Sequence, residues 1–235
     1  MKRTYTYQVN GLEIHAAFDD RDGDRVFLPL LRRLTALQRE RGRRIAVFLA
    51  APPAAGKSTL CCYLEELSWS EPALTPVQAV GIDGFHYPQR YLDSHGLARI
   101  KGAPETYDVA GLRRMIERLN EPNQRWPVYD RRIHDPIGDA VEIAADIVIV
   151  EGNWLLLNAP PWSELRCDYS IFLRAGDRAQ LERIVRRKVR GGFSEDEARE
   201  IVERNDWPNI LRCMEHSRRG DLTLAKAPDG TWEEI

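Results

Sequence analysis

The sequence predicts an α/β fold in three layers, with a mainly parallel central sheet covered by helices on both faces. Three observations carry this expectation. The apolar run Ile45-Ala46-Val47-Phe48-Leu49 leads straight into Ala51-Pro52-Pro53-Ala54-Ala55-Gly56-Lys57-Ser58-Thr59, which reads as a strand, a tight loop and a helix start. Asp146-Ile147-Val148-Ile149-Val150-Glu151-Gly152 is continuously apolar and closed by a carboxylate, as a central parallel strand requires. Strand-like and helix-like segments then alternate along the chain, the pattern of parallel strands joined by crossover helices.

The elements follow in order. Residues 5–18 alternate around Asn10-Gly11, a strong hairpin signal, so a β-hairpin (residues 1–22) precedes the core as an appendage. An amphipathic helix is expected over 25–41, with Val26, Leu30, Leu31, Leu34 and Leu37 on one face. Arg32, Arg33, Arg39 and Arg41, with Arg43 and Arg44 beyond, read as a solvated face and a complement to the helix dipole rather than a polyanion site. The first buried strand spans 45–50 and a helix 57–67; a second strand, 77–82, ends at Asp83. Further along, a helix is expected over 109–119, a short strand over 125–130, and a turn at Asp135-Pro136-Ile137-Gly138. Another strand is expected over 169–173, with helices over 178–190 and 195–204. Asp206 is placed to cap a new helix, with Trp207 and Pro208 in its first turn. A small hairpin around Asp229-Gly230 ends the chain. No repeat, low-complexity tract or linker interrupts it, so the expectation is one domain over 1–235.

Composition narrows the function classes. A chain of 235 residues, 43% hydrophobic, can bury a large core, and a net charge of −2 gives no general reason to expect nucleic acid. Cys61 and Cys62 are adjacent, Cys167 and Cys213 are isolated, and no Cys-x-x-Cys pair occurs, which suggests reduced thiols rather than a disulfide scaffold or a zinc site. The start, Met1-Lys2-Arg3-Thr4-Tyr5, lacks the apolar core of a signal peptide, and no apolar stretch is long enough to span a bilayer. The expectation is a soluble cytoplasmic protein that acts on a small molecule, with no membrane partner and with a homodimer left open.

The chemistry resides in three groups at expected strand ends. Consecutive N–H donors at a helix start form an anion site. Lys57 is placed to reach the β- and γ-phosphates of a nucleotide and the Ser58 hydroxyl to reach Mg²⁺. Ala51 stands where that loop pattern begins with glycine, and Pro52 and Pro53 have no N–H, so the donors come from Ala54, Ala55, Gly56, Lys57, Ser58 and Thr59. Asp83 and Glu151 fall at the ends of two other strands, and ligands of such sheets sit beyond the carboxyl ends. Phosphoryl transfer needs clamps, a metal and a carboxylate that orients the attacking hydroxyl. Asp83 fits the base, and Glu151 can hold Mg²⁺ directly or through water. Read singly, Asp83-Gly84 is also a common turn pair and Glu151 a solvent-facing strand end.

Four ordered phrases then resemble a known family. Gly81-Ile82-Asp83-Gly84-Phe85-His86-Tyr87-Pro88, Lys101-Gly102-Ala103-Pro104-Glu105-Thr106-Tyr107-Asp108, Pro127-Val128-Tyr129-Asp130 and Val150-Glu151-Gly152-Asn153-Trp154 are similar to the uridine kinase, phosphoribulokinase and bacterial pantothenate kinase group. Within it the chain is most similar to the small pantothenate-kinase-like proteins, some of them labelled fructose transport system kinases. The resemblance covers roughly residues 45–209. It implies a P-loop kinase fold, ATP as donor, a small-molecule hydroxyl as acceptor and Asp83 as base. It also implies an acceptor site framed by the loop that carries Lys101, Glu105 and Tyr107, together with Tyr129; His86 lies beside it. The pantothenate kinases continue with Ser-His where this chain has Asp130-Arg131, which puts Arg131 in the place of a substrate-facing histidine. The uridine kinases have a His-Pro-rich phrase where this chain has Lys101-Gly102-Ala103-Pro104-Glu105. The resemblance therefore names no acceptor.

Arg183, Arg186, Arg187, Lys188 and Arg190 crowd one helix before Gly191-Gly192. The cluster looks like the family's lid (about 183–196), with Arg183 and Arg187 on one face to neutralise charge on the phosphates; a basic solvated helix end is the plainer account of any one of them. Asn205 lies in a phrase that the fructose-kinase-like relatives share. His15, His86, His95, His134 and His216 show no metal-ligand spacing, and Trp126, Trp154 and Trp162 read as core or cleft walls. A nucleotide-hydrolysing switch is the alternative. Asp135-Pro136-Ile137-Gly138 fits its Asp-x-x-Gly pattern, but no guanine-reading Asn-Lys-x-Asp follows. Ala51 is the one residue that hints at a binding module without catalysis.

Overall fold

In chain order, the computed structural model has β1 (Lys2–Val9) and β2 (Leu12–Asp19), then the short α1 (Asp20–Asp22) and α2 (Leu28–Arg41). β3 (Ile45–Ala50), α3 (Lys57–Ser70), β4 (Val77–Gly81), α4 (Gln89–Ser94) and α5 (Val109–Glu117) follow. β5 (Arg125–Asp130), β6 (Asp135–Glu142), β7 (Ile147–Gly152), β8 (Tyr169–Arg174), α6 (Arg178–Arg190) and α7 (Glu195–Ile201) come next. α8 (Trp207–His216), β9 (Leu222–Lys226) and β10 (Trp232–Glu234) close the chain. The structure describes every residue except Asn10, Gly11, Arg131, Gly176, Asp177 and Pro228; the hairpin turn at Asn10-Gly11 and the expected substrate residue Arg131 lie outside the described residues.

The central sheet runs in the order β10-β9-β8-β3-β7-β4 and is parallel except where β10 pairs antiparallel with β9. β3 shows why its sequence is apolar throughout. Successive side chains point to opposite faces of a strand, and here both faces are covered. Ile45, Val47 and Leu49 join the core under α2 and α3 with Leu30, Leu31, Leu34, Leu60 and Leu64. Ala46, Phe48 and Ala50 join the opposite core with Leu112, Trp126, Trp154 and Trp162. Full burial of each Leu, Ile or Val side chain contributes about 1.5–3 kcal/mol.

The N-terminal hairpin is a separate two-stranded sheet anchored by aromatic rings. Phe18 stacks on Tyr63 of α3 at 4.0 Å, Tyr5 meets Tyr63 edge-on at 5.3 Å, and Tyr7 donates its hydroxyl hydrogen to Glu66 at 2.9 Å. The arginines near the start of β3 hold structure. Arg44 donates to the carbonyls of Ala145, Leu119 and Ile143, and Arg43 pairs with Asp168. All four cysteines are free, and no described helix is long and apolar enough to cross a membrane.

Three expectations need correction. The N-terminal helical stretch begins before residue 25: Asp19 accepts from the Arg21 N–H, and α1 passes through a π-helical turn, Gly23–Phe27, into α2. Asp135 to Gly138 is strand rather than turn, because β6 pairs antiparallel with β5 in a ribbon of its own; the register breaks between Trp126 and Val128, at Pro127, which has no N–H to donate. Asp206 caps nothing. Its backbone is helical (φ −71°, ψ −39°), whereas a capping residue is extended. A second π-helical turn, Val202–Asp206, carries the helix into α8, and the Asp206 carboxylate pairs with Lys188 at 2.9 Å. Both π-helical turns stand one residue before an X-Pro step, Leu28-Pro29 and Trp207-Pro208. Proline cannot donate into an α-helical ladder, and the additional residue in the wider turn absorbs the interruption.

Two glycines mark close approaches that shape the sheet's carboxyl edge. A Cβ on Gly152 would lie 2.3 Å from Ile82 Cδ1, and one on Gly84 would lie 2.2 Å from the Pro127 carbonyl oxygen. Gly84 thus lets the turn after β4 press against the β5–β6 ribbon. Gly84→Ala is expected to destabilise the fold by about 1–3 kcal/mol through overpacking, read as a lower midpoint in denaturant unfolding. An unchanged midpoint would mean that ribbon and turn separate at little cost.

Candidate active site

The three expected groups meet because their strands are neighbours. Glu151 on β7 is flanked in register by Leu49 of β3 on one side and Gly81 of β4 on the other. One carboxylate therefore stands between the loop that leaves β3 and the turn that leaves β4. Ser58 donates its hydroxyl hydrogen to Glu151 Oε1 at 2.7 Å, and Lys57 donates from Nζ to Asn153 Oδ1 at 2.6 Å. Asn153 is a residue that sequence reasoning quoted without assigning a role. Its signal was its position two residues after Glu151, which in extended chain returns a side chain to the same side.

The loop backbone is shaped for an anion. Gly56 has φ 93° and Ala54 φ 57°, and α3 starts directly at Lys57. Left-handed residues of this kind turn successive N–H groups toward one concavity. From the outside, α6 holds the loop by its carbonyls: the Gln180 amide donates to Pro53 O, and Arg183 Nε donates to Ala54 O at 3.3 Å. Those bonds fix the peptide planes that carry the Ala54 and Ala55 N–H groups. Arg187 lies one turn further along α6, the spacing that puts the two arginines on one face. A hydroxyl and a carboxylate at hydrogen-bond distance are hard oxygen donors, which suits Mg²⁺ shared with phosphate oxygens.

A second group of residues gathers beside Asp83, which sits half-buried in the 3₁₀ turn Ile82–Phe85 at the end of β4. His86 stacks on Tyr107 at 3.9 Å, meets Tyr129 edge-on at 5.6 Å, and has Nδ1 3.3 Å from Thr106 O. Burial lowers the His86 pKa below its ordinary value and the charge of Lys101 works the same way, while Asp83 opposes both. The Tyr107 hydroxyl is pushed well above its ordinary value, chiefly by burial, so it is a neutral donor. Lys101 Nζ donates to Gln89 Oε1 at 2.8 Å and to His134 O at 2.9 Å, and the Tyr129 hydroxyl donates to His134 O at 2.7 Å. The Asp135 carboxylate accepts the Gln89 N–H at 2.7 Å, so the Asp-x-x-Gly phrase holds α4.

Glu105 takes a different direction from its neighbours. Its carboxylate pairs with Arg212 of α8 at 2.6 Å, which ties the 101–108 loop to the helices beyond it. The same loop is held by its backbone carbonyls: Asn205 donates to Lys101 O at 3.0 Å, Trp154 to Gly102 O at 3.0 Å and Trp162 to Pro104 O at 3.3 Å. Trp154 and Trp162 are the expected cleft walls with a further task, since a buried indole N–H needs an acceptor. Arg212 carries no local sequence signal, because its partner is 107 residues away.

No protein-family model matches the chain. Among known proteins it is 43% identical to "Uncharacterized protein YggC" of Escherichia coli K12, over 95% of this chain and 96% of that one. It is 34% identical to the Schizosaccharomyces pombe protein named "Putative uridine kinase C227.14", over 77% of this chain and 83% of the relative. Among solved structures it is similar to a "putative fructose transport system kinase" from Silicibacter sp. TM1040, with a TM-score of 0.73 and 33% identity, over 81% of this chain and 98% of that one.

The half-buried His86 ring gives a pH signature. Its folded-state pKa lies below the unfolded value of 6.5, so acid protonates the unfolded chain first. The neutral ring's contribution is fully present above the unfolded pKa and declines as pH falls from there through the folded pKa. Melting temperature measured between about pH 5 and pH 8 is expected to fall on the acid side, and His86→Gln is expected to flatten that limb. Identical acid limbs in both proteins would show that the ring titrates freely.

Proposed function

The chain belongs to the uridine-kinase-like P-loop kinases, and on that premise we propose that it transfers the γ-phosphate of ATP to a hydroxyl group of a small polar metabolite. The observation that carries this reading is the contact of Ser58 with Glu151 beside Lys57, at the junction of three parallel strands whose third member, β4, leads into the turn that carries Asp83. Loop N–H groups from Ala54 to Thr59 and the Lys57 ammonium bind the phosphates. Ser58 and Glu151 hold Mg²⁺, which supplies charge neutralisation at the transferred group. Asp83 aligns the acceptor hydroxyl and takes its proton. The acceptor lies against His86, Tyr107 and Tyr129, and the Arg183 and Arg187 side of α6 acts as a lid that excludes water.

The reading is tested by ADP release with Mg-ATP against a panel of sugars, nucleosides and hydroxy acids. Lys57→Ala is expected to abolish acceptor-dependent turnover and weaken ATP binding, because one charged contact to a transferring phosphoryl group is worth about 3–4 kcal/mol. Near-normal turnover in that variant would remove the loop from the mechanism.

Asp83→Asn is expected to keep its affinity for ATP while losing roughly 10²–10⁴-fold in rate, since the amide accepts a hydrogen bond but not a proton. Loss of ATP binding with unchanged rate at saturation would place Asp83 on the nucleotide side.

Arg183→Ala and Arg187→Ala are expected to slow transfer while changing stability by less than about 1 kcal/mol, the scale of a partly exposed polar contact. The double variant should also hydrolyse more ATP to water per acceptor phosphorylated, measured as the ratio of free phosphate to product. Parallel losses of melting temperature and rate would give the two arginines a purely structural role.

A further inference from the structure

The described part of the acceptor cleft contains a positive charge that the fold does not neutralise. Lys101 is half-buried, and its ammonium spends hydrogens on two neutral oxygens, Gln89 Oε1 and His134 O, while lying 5.3 Å from the centre of the Tyr129 ring. Among the described residues no carboxylate is within ion-pairing distance of it. Three carboxylates of the surrounding segments are engaged elsewhere: Glu105 with Arg212 at 2.6 Å, Asp130 with Arg132 at 2.8 Å, and Asp135 with the Gln89 N–H at 2.7 Å.

The charge also borders the groups next to the proposed base. The Tyr129 ring that Lys101 faces at 5.3 Å meets the His86 ring edge-on at 5.6 Å, and the His86 N–H donates to the Asp83 carbonyl at 3.2 Å. These bordering groups are neutral or apolar. His86 is held uncharged by burial, Tyr107 keeps its proton, and Tyr129 offers the ammonium its ring face. A half-withdrawn ammonium surrounded by dipoles alone is poorly compensated, and a third N–H remains available for a ligand. A carboxylate or phosphate oxygen gives a charge-assisted bond that a sugar hydroxyl does not match.

We propose that the acceptor is an anionic alcohol, with its hydroxyl at Asp83 and its carboxylate or phosphate group held by Lys101. This rests on the kinase reading above. In the transfer, the bond between the γ-phosphorus and the bridging oxygen breaks and leaves ADP. A new phosphorus–oxygen bond forms to the acceptor hydroxyl, and the hydroxyl proton goes to Asp83. Lys101 takes no part in these bond changes and acts on binding.

The test begins with the wild-type enzyme and Mg-ATP, with three groups of acceptors at equal concentration. These are neutral sugars and nucleosides, hydroxycarboxylates, and sugar monophosphates. Turnover is expected with one of the anionic groups, and which of them responds identifies the anion. For that acceptor, Lys101→Met is expected to raise KM roughly tenfold or more with kcat changed less than about threefold, and Lys101→Arg to recover most of the loss. A merely structural lysine would lower kcat and melting temperature together. A neutral compound as best acceptor overturns the inference and leaves the kinase reading intact; so does a folded Lys101→Met with KM within about threefold of wild type. ADP release with no alcohol at all overturns the kinase reading and this inference with it. If Lys101→Met does not fold, the wild-type panel and Lys101→Arg decide between the same outcomes.

Discussion

Glu151 is the residue on which the rest of the site depends, and its place is set by strand order. β7 lies between β3 and β4, so a side chain at its carboxyl end is bracketed by the phosphate-binding loop on one side and by the Asp83 turn on the other. The bond from Ser58 to Glu151 closes the first gap, and Gly81, which has no side chain to intervene, opens the second. A carboxylate at this edge is costly to bury without partners. Here the Ser58 hydroxyl meets one oxygen, and the cationic Lys57 lies alongside on the first turn of α3. Two parallel pairings rich in Ile and Val thus bring the loop after β3, Glu151 and the Asp83 turn to one edge of the sheet.

The second half of the site is held by a different kind of contact. The 101–108 loop is irregular, and irregular backbone needs partners for its carbonyls. Asn205, Trp154 and Trp162 supply three of them, and the pair of Glu105 with Arg212 adds a charged tie to α8. α8 also reaches the nucleotide side, where Cys213 donates its thiol hydrogen to the Asn153 carbonyl while the Asn153 side chain receives Lys57. One helix therefore contacts both halves. Two hydrogen bonds and one ion pair thus connect the 101–108 loop to Lys57.

The helices that make this connection are continuous where proline should have divided them. α7 runs through a π-helical turn into α8, and α1 does the same into α2. At Trp207-Pro208 the local rule that proline opens a new helix gave way to packing. Val202 and Ile210 are buried with Ile184, Val185 and Ala198, and keeping them on one side of the stretch requires continuity. The Asp206 carboxylate, released from capping, pairs with Lys188 of α6 instead. π-helical turns of this kind are found often at functional sites, and this one contains Asn205, whose side chain donates to the Lys101 carbonyl.

The sequence by itself determined the elements whose signal is local. An apolar run ending at a glycine-lysine-serine step, a second ending at Glu151, and alternation about a hairpin turn each follow from nearest-neighbour chemistry, and β3 and α6 lie where their patterns place them. The residues at strand ends were legible as well, because the parallel topology brings such ends to one edge whatever the loops do. Only the tertiary structure decided what depends on distant partners. It turned Glu105 toward Arg212, paired Asp135 to Glu142 as a strand against β5, and seated the arginines near β3 on backbone carbonyls. It also left Lys101 among neutral oxygens. The physical reason is common to all four. A side chain's charge and donors are written in the sequence, but the partner that satisfies them is chosen by which segments the packed core brings within about 3 Å.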